Sequence, residues 1–263
     1  MKRQEEKEKG KERHLVVESN VLLESRYNIT LLELKMFLAV LTQIRRDDND
    51  YRTYTVAYSD FLDKIETNHP KIYEYLKKAC IALMNKVLVI PRENGDLFSH
   101  FCSSIEIFRH LDIIEFSFDR KLLPYLLQLK SHFTIFDIRN VMRCHSVYSV
   151  RLYQLLKQYE KVGSRTIELD ELKAMLGVAD KYRQWINFRS TVIEPAEKEL
   201  KKYSDIFFTY TTKRKGRKIH YIRFKIQRKR QSRLSTEKTD DVITIQELDE
   251  TIPVPYSEFV QGA

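Results

Sequence analysis

Residues 206–226 read Ile206-Phe-Phe-Thr-Tyr-Thr-Thr-Lys-Arg-Lys-Gly-Arg-Lys-Ile-His-Tyr-Ile-Arg-Phe-Lys-Ile226. β-Branched and aromatic residues dominate both flanks, which predicts strands over Ile206 to Thr212 and Ile219 to Ile226. The hairpin turn between them, Lys213-Arg-Lys-Gly-Arg-Lys218, holds five basic residues in six. Upstream, the spacing predicts a long helix from about Arg183 to Tyr203. Before that, Asp170 is placed to cap a short helix over Glu171 to Leu176, and Gly177 ends it as a C-terminal glycine does. Arg165 to Leu169 reads as a short strand. A helical stretch from Asp137 to about Lys161 comes first, with Val141, Tyr148, Leu152, Leu155 and Leu156 among its buried positions.

The same order of events stands earlier in the chain. Thr30 caps a predicted helix over Leu31 to Arg46, whose apolar face is Leu31, Leu34, Phe37, Leu38, Leu41 and Ile44. Tyr51 to Tyr58 alternates as a strand, and Ser59 or Asp60 can cap a short helix to about Ile65. Pro70 suits the first position of a longer helix through Lys86. Val87 to Ile90, an Asn94-Gly95 type I′ turn and Phe98 to Phe108 then form a hairpin, a third strand covers Ile113 to Phe118, and Lys121 to Leu129 reads as a short helix. Helix, strand, capped short helix, long helix and hairpin are thus written twice. This is an α+β fold of tandem winged-helix domains, each a helix-turn-helix followed by a β wing.

In that arrangement the longer second helix enters the DNA major groove and the hairpin tip lies on flanking phosphate. Projected at about 100° per residue, the helix from Arg183 packs Trp185, Phe188, Val192, Ala196 and Leu200 inward. Arg183, Asn187, Ser190, Thr191, Glu194, Lys198 and Lys201 fall opposite. Arg and Asn pair bidentately with guanine and adenine edges, and Ser and Thr serve phosphates or bases. Arg189 points toward the apolar side and can snorkel to phosphate. Lys213, Arg214, Lys215, Arg217 and Lys218 would hold phosphate from the wing. Pro195 costs a helix interior roughly 3 kcal/mol, so either the helix kinks there or packing compensates, and base reading is concentrated in residues 183–194. In the first copy, Lys71 and Lys78 project from the long helix, but the hairpin tip Pro91-Arg-Glu-Asn-Gly-Asp96 carries two acids against one base. Only accessory DNA contact is expected there.

The charge distribution agrees with this division. Residues 1–131 hold 21 Lys/Arg against 20 Asp/Glu, residues 132–230 hold 23 against 10, and residues 231–263 hold 2 against 7, for +1, +13 and −5 within the overall +9. A block of about 100 residues at +13 suits a polyanionic partner. Of 263 residues, 43% are hydrophobic, enough for packed cores. The six glycines form no phosphate-binding G-x-G-x-x-G or P-loop pattern. Three isolated cysteines, Cys80, Cys102 and Cys144, write neither a zinc pair nor a disulfide framework, and fit a reducing cytoplasm. The seven histidines form no H-x-H or H-E-x-x-H pair, and no window approaches a membrane span. Neither metal nor other cofactor is expected. The adjacent Cys144 and His145 face different ways on a helix and are read as structural.

The chain resembles the iteron-binding plasmid replication initiators of bacteria, which are built from two winged-helix domains. The likeness lies in His14-Leu-Val-Val-Glu-Ser-Asn20, Ile29-Thr-Leu-Leu-Glu-Leu-Lys35, Val150-Arg-Leu-Tyr-Gln-Leu-Leu-Lys-Gln-Tyr159 and Leu169-Asp-Glu-Leu-Lys-Ala-Met-Leu-Gly177. It continues through Val192-Ile-Glu-Pro-Ala196 with Glu199, Lys215-Gly-Arg-Lys218 and Ile222-Arg-Phe-Lys-Ile226. It covers roughly residues 14–228 and implies a non-enzymatic, cytoplasmic protein that binds directly repeated sites in double-stranded origin DNA and promotes origin opening. It further implies a monomer–dimer equilibrium, the dimer repressing its own gene, and partners among the host replication initiator, replicative helicase and chaperones, with no membrane. The expected organisation is a charged arm (1–13), a first winged helix for dimerisation and accessory contact (14–131), a second for sequence-specific binding (132–230), and an acidic tail (231–263). A winged-helix repressor without an initiation role, or a DNA-nicking enzyme, are the alternatives.

Overall fold

The computed structural model describes residues 14–229, apart from 46–47, 49–52, 65–70, 128 and 130. The arm 1–13, the tail 231–263 and the helix start expected at Pro70 lie outside the described residues.

Strand β1 (Leu15–Ser19) leads into the single-turn α1 (Asn20–Leu23). Helix α2 (Leu31–Leu41) starts where Thr30 predicts, through a reciprocal capping box: the Glu33 N–H donates to Thr30 Oγ1 at 3.4 Å and the Thr30 N–H donates to Glu33 Oε2 at 3.0 Å. It ends short of the expected Arg46. Then come β2 (Tyr54–Ala57), α3 (Tyr58–Lys64) and α4 (Ile72–Met84), whose inward residues Ile72, Leu76, Ala79, Cys80 and Leu83 are those the spacing gives. The expectation that α2 buries one face is corrected. It is buried all round, Glu33 and Lys35 included, because β1, β2 and α4 all pack against it.

The hairpin β3 (Val87–Arg92) and β4 (Gly95–His100) turns one residue earlier than expected, at Glu93-Asn94, with Arg92 opposite Gly95. Asn94 lacks the positive φ of a type I′ turn; only Gly95 has it, at +133°. Burial of Leu88 and Ile90 fixes this register. The single strand expected over 98–108 breaks at Phe101, whose buried ring sits edge-on to Tyr27 and Phe37 at 5.0 and 4.9 Å. Beyond it β5 (Cys102–Phe108) joins β6 (Ile113–Phe118) in a separate sheet ordered β2-β6-β5. The helix expected near Lys121 is a 3-10 segment, Arg120–Tyr125, with Pro124 inside it.

The long helix expected from Asp137 is also divided. Strand β7 (Phe133–Asp137), the short α5 (Arg139–Met142) and α6 (Val147–Lys157) follow one another, because Ser146 in extended backbone caps a fresh helix. Strand β8 (Ser164–Glu168) comes next, followed by α7 (Leu169–Met175); the α7 cap position is Glu168, so Asp170 lies in the first turn instead. The last elements are α8 (Trp185–Phe188), a wide turn over Arg189–Ile193, α9 (Glu194–Tyr203), β9 (Ile206–Lys215) and β10 (Lys218–Arg228). The final sheet is ordered β8-β10-β9. The molecule is therefore a tandem of two winged helices.

Segments far apart in the chain are fastened together by strand pairing and polar contacts. β1 pairs antiparallel with β7 across the boundary expected at 131/132, Leu15 opposite Asp137 through Ser19 opposite Phe133. The Arg151 side chain, 2% exposed, donates from Nη2 to the carbonyls of Leu23, Ser25 and Met175 at 3.0, 3.1 and 3.2 Å. Its guanidinium also lies 4.2 Å from the Tyr27 ring centroid. Gln154 Nε2 donates to Glu18 Oε2 at 2.9 Å, and Arg165 pairs with Glu24 at 2.8 Å. Gly177, at φ +68°, is required on two counts. It supplies the left-handed helix end, and a Cβ there would sit 2.4 Å from the Tyr27 carbonyl oxygen.

Candidate DNA interface

The helix that should read DNA begins later and bends differently from the sequence expectation. Arg183 precedes it and Gln184 stands at the N-cap of α8. Instead of a kink at Pro195, the backbone widens over Arg189–Ile193 into a π turn, in which the Glu194 N–H donates to the Arg189 carbonyl five residues back. Proline has no N–H and its ring crowds the carbonyl four residues upstream, so shifting the ladder ahead of it removes both conflicts. The extra residue per turn drives both Val192 and Ile193 into the core, where the projection placed only Val192. Phe188, Ala196 and Leu200 are buried as expected, and Trp185 is partly covered by Phe188 and Tyr210, at ring distances of 6.0 and 6.3 Å.

The wing is longer than the sequence suggests. Its strands continue to Lys215 and resume at Lys218, so the turn is Gly216-Arg217 alone, with positive φ (+63°) at the first position only, as a II′-like hairpin requires. Lys213, Arg214, Lys215, Arg217 and Lys218 are all exposed along it. A bulge between Ile219 and Tyr221 displaces His220, whose Nδ1 lies 3.4 Å from Glu168 Oε1.

Between the start of α8 and this wing opens a cleft of about 710 Å³. Six Lys/Arg side chains line it against the single acid Asp170: Lys173 from α7, Arg183 before α8, and Arg214, Lys215, Arg217 and Lys218 from the wing. Six cations with little carboxylate to offset them make a concave field for a polyanion. Asn187, Ser190, Thr191 and Lys198 are exposed on the adjoining helix surface, and Ser190 Oγ donates to the Asn187 carbonyl at 3.3 Å.

Not every residue singled out from sequence reaches this place. Arg189 turns back to Glu194, Nε to Oε1 3.1 Å, and does not line the cleft. Lys71 and Lys78 are exposed on the first winged helix, outside the cleft lining. The base of the first hairpin tip, Arg92, is occupied by the Tyr125 hydroxyl at 2.8 Å. Conversely, the sequence reading overlooked Ile186, 48% exposed on the first turn of α8, and Lys173 and His220 on the cleft walls. Away from the cleft, burial pushes the thiols of Cys80 and Cys102 up to about 12, while Cys144 is buried beside His145, which faces Glu199 at 3.6 Å.

Residues 15–157 match the family model described as initiator replication protein, WH1, and residues 168–226 match that described as initiator Rep protein, WH2. The chain belongs to the replication initiator protein family. This initiator is 28% identical over 245 residues to the replication initiation protein of Escherichia coli, covering 87% of this chain and 74% of that protein. It is 30% identical over 129 residues to the PI protein of Escherichia coli, 42% of each chain. Its fold is similar to that in the crystal structure of Pi initiator protein in complex with iteron DNA, with a TM-score of 0.70 at 22% identity over 84% of this chain and 99% of that one. Among the described residues of the initiator, no helix is long and apolar enough to cross a membrane.

Proposed function

We propose that this initiator binds directly repeated sites in a plasmid origin, the iterons, mainly through its second winged helix, and promotes opening of the adjacent AT-rich duplex. The observation that carries the reading is the cleft: one wall is the start of α8 and the other a basic wing, the two surfaces that major groove and flanking phosphate require. Arg183 and Asn187 read base edges, Ser190 and Thr191 serve bases or phosphates, and Lys198 and the wing cations hold phosphate. Arg189 reaches phosphate by releasing Glu194. The first winged helix adds accessory contact through Lys71 and Lys78 and supplies a self-association surface, so that a dimer represses the initiator's own gene while the monomer occupies the origin. Host replication initiator, helicase and chaperones complete the set of partners, in the cytoplasm. The cleft walls present cations and hydrogen-bond donors suited to holding DNA, and the protein acts by binding rather than by covalent chemistry.

Footprinting on the origin and on the gene's own promoter, with oligomeric state monitored, tests this. Protection of evenly phased direct repeats by monomers is the expected result. Protection confined to a promoter inverted repeat would instead leave a repressor.

A further inference from the structure

An aliphatic side chain standing open among cations needs a reason. Single exposed apolar residues are ordinary on protein surfaces, but Ile186 is not scattered. It lines the same cleft as Arg183 and the wing residues Arg214 and Arg217, and is 48% exposed. Four residues on stands Ser190, and next to it Asn187, both exposed, with Ser190 Oγ tied back to the Asn187 carbonyl. Residues three and four apart on a helix are neighbours, so Ser190 adjoins both Ile186 and Asn187. The core of the domain does not claim Ile186, since Phe188, Val192 and Ile193 fill the inward side.

The major groove offers one apolar group on its base edges, the thymine C5-methyl. We propose that Ile186 is a specificity-determining residue that packs against the C5-methyl of a thymine in the recognised site. This rests on the DNA-reading role of α8. The cleft cations hold flanking phosphate, Asn187 supplies hydrogen bonds to a base edge, and Ile186 adds a contact that cytosine, lacking the methyl, cannot make.

The test uses the full chain and a duplex enriched by it from a random-sequence pool. Each thymine of that duplex is replaced in turn by deoxyuridine, which pairs identically and lacks only the methyl. The expected result is one thymine position at which the replacement weakens binding about fourfold, the worth of one buried methyl group. Ile186→Ala is expected to bind the thymine and uracil duplexes equally at that position, and Ile186→Val to keep part of the difference. Because the side chain is half exposed, both variants retain the fold, which circular dichroism verifies. If every deoxyuridine duplex binds as well as its parent, or if Ile186→Ala keeps the full thymine preference, the assignment of Ile186 is overturned while the DNA-reading role stands. If no sequence is enriched from the pool, that role falls and the inference with it.

Discussion

Arg183 and Asn187 differ in how firmly the fold holds them, and this sets what their loss should cost. Asn187 lies on a helix whose inner side is locked by Phe188, so Asn187→Ala should reduce discrimination between cognate and altered sites by about 1–3 kcal/mol. Arg183 precedes the helix on the cleft wall, and Arg183→Ala should show a loss of the same size if it too reads a base. Equal weakening on cognate and random duplex would assign either residue to phosphate. Glu18 makes a different prediction, about stability. Burial, offset in part by Arg151 and the Gln154 hydrogen bond, pushes its carboxyl up to about 7 from 4.5. A raised folded-state value stabilises the protein fully below the unfolded value and loses that contribution as pH rises through about 7. Urea unfolding should therefore show stability falling between about pH 5 and pH 8, and Glu18→Gln should flatten the slope; an unaltered slope would show that Glu18 is not the group responsible.

Among the elements, the wing and the π turn carry the clearest consequences. Neutralising Lys213, Arg214, Lys215, Arg217 or Lys218 should lower the slope of log affinity against log salt by about 1 for each phosphate that the side chain holds. A charge-neutral wing with an unaltered slope would remove the hairpin from the interface. The order of elements was legible because each has a local signature: Gly177 for a helix end, Thr30 for a start, Lys213 to Lys218 for a turn. Pro195 announced a conflict but not its resolution, since a kink and a widened turn satisfy the same missing N–H. That ambiguity hid the inward turn of Ile193. The full burial of α2 was equally illegible, because Glu33 and Lys35 look like a solvent face until three neighbouring elements close over them.

For the molecule as a whole, the decisive groups are those between the two winged helices. Arg151→Met removes the donors for three carbonyls in a buried place and should cost about 3–5 kcal/mol. Gly177→Ala adds left-handed strain to a collision with the Tyr27 backbone, for roughly 3 kcal/mol or more. Chemical denaturation followed by Trp185 fluorescence, which reports on the second unit, and by far-UV circular dichroism, which reports on both, checks each. Two separated transitions in Arg151→Met would show that this arginine couples the units, and an unchanged midpoint in either variant would refute its role. Sequence pattern could not foresee this coupling: Leu-Val-Val-Glu-Ser reads as a strand without naming a partner, and that partner lies more than 100 residues away.

That pairing also decides where the chain can be cut. Trimming residues 1–13 leaves β1 in place, but trimming through Ser19 strips β7 of its neighbour and bares a row of amides and carbonyls beside Phe136, a template for adhesion between molecules. The longer truncation should scatter light increasingly with concentration where the shorter one stays clear. The first strand is thus a seal on a sticky border that lies more than 100 residues further along the chain.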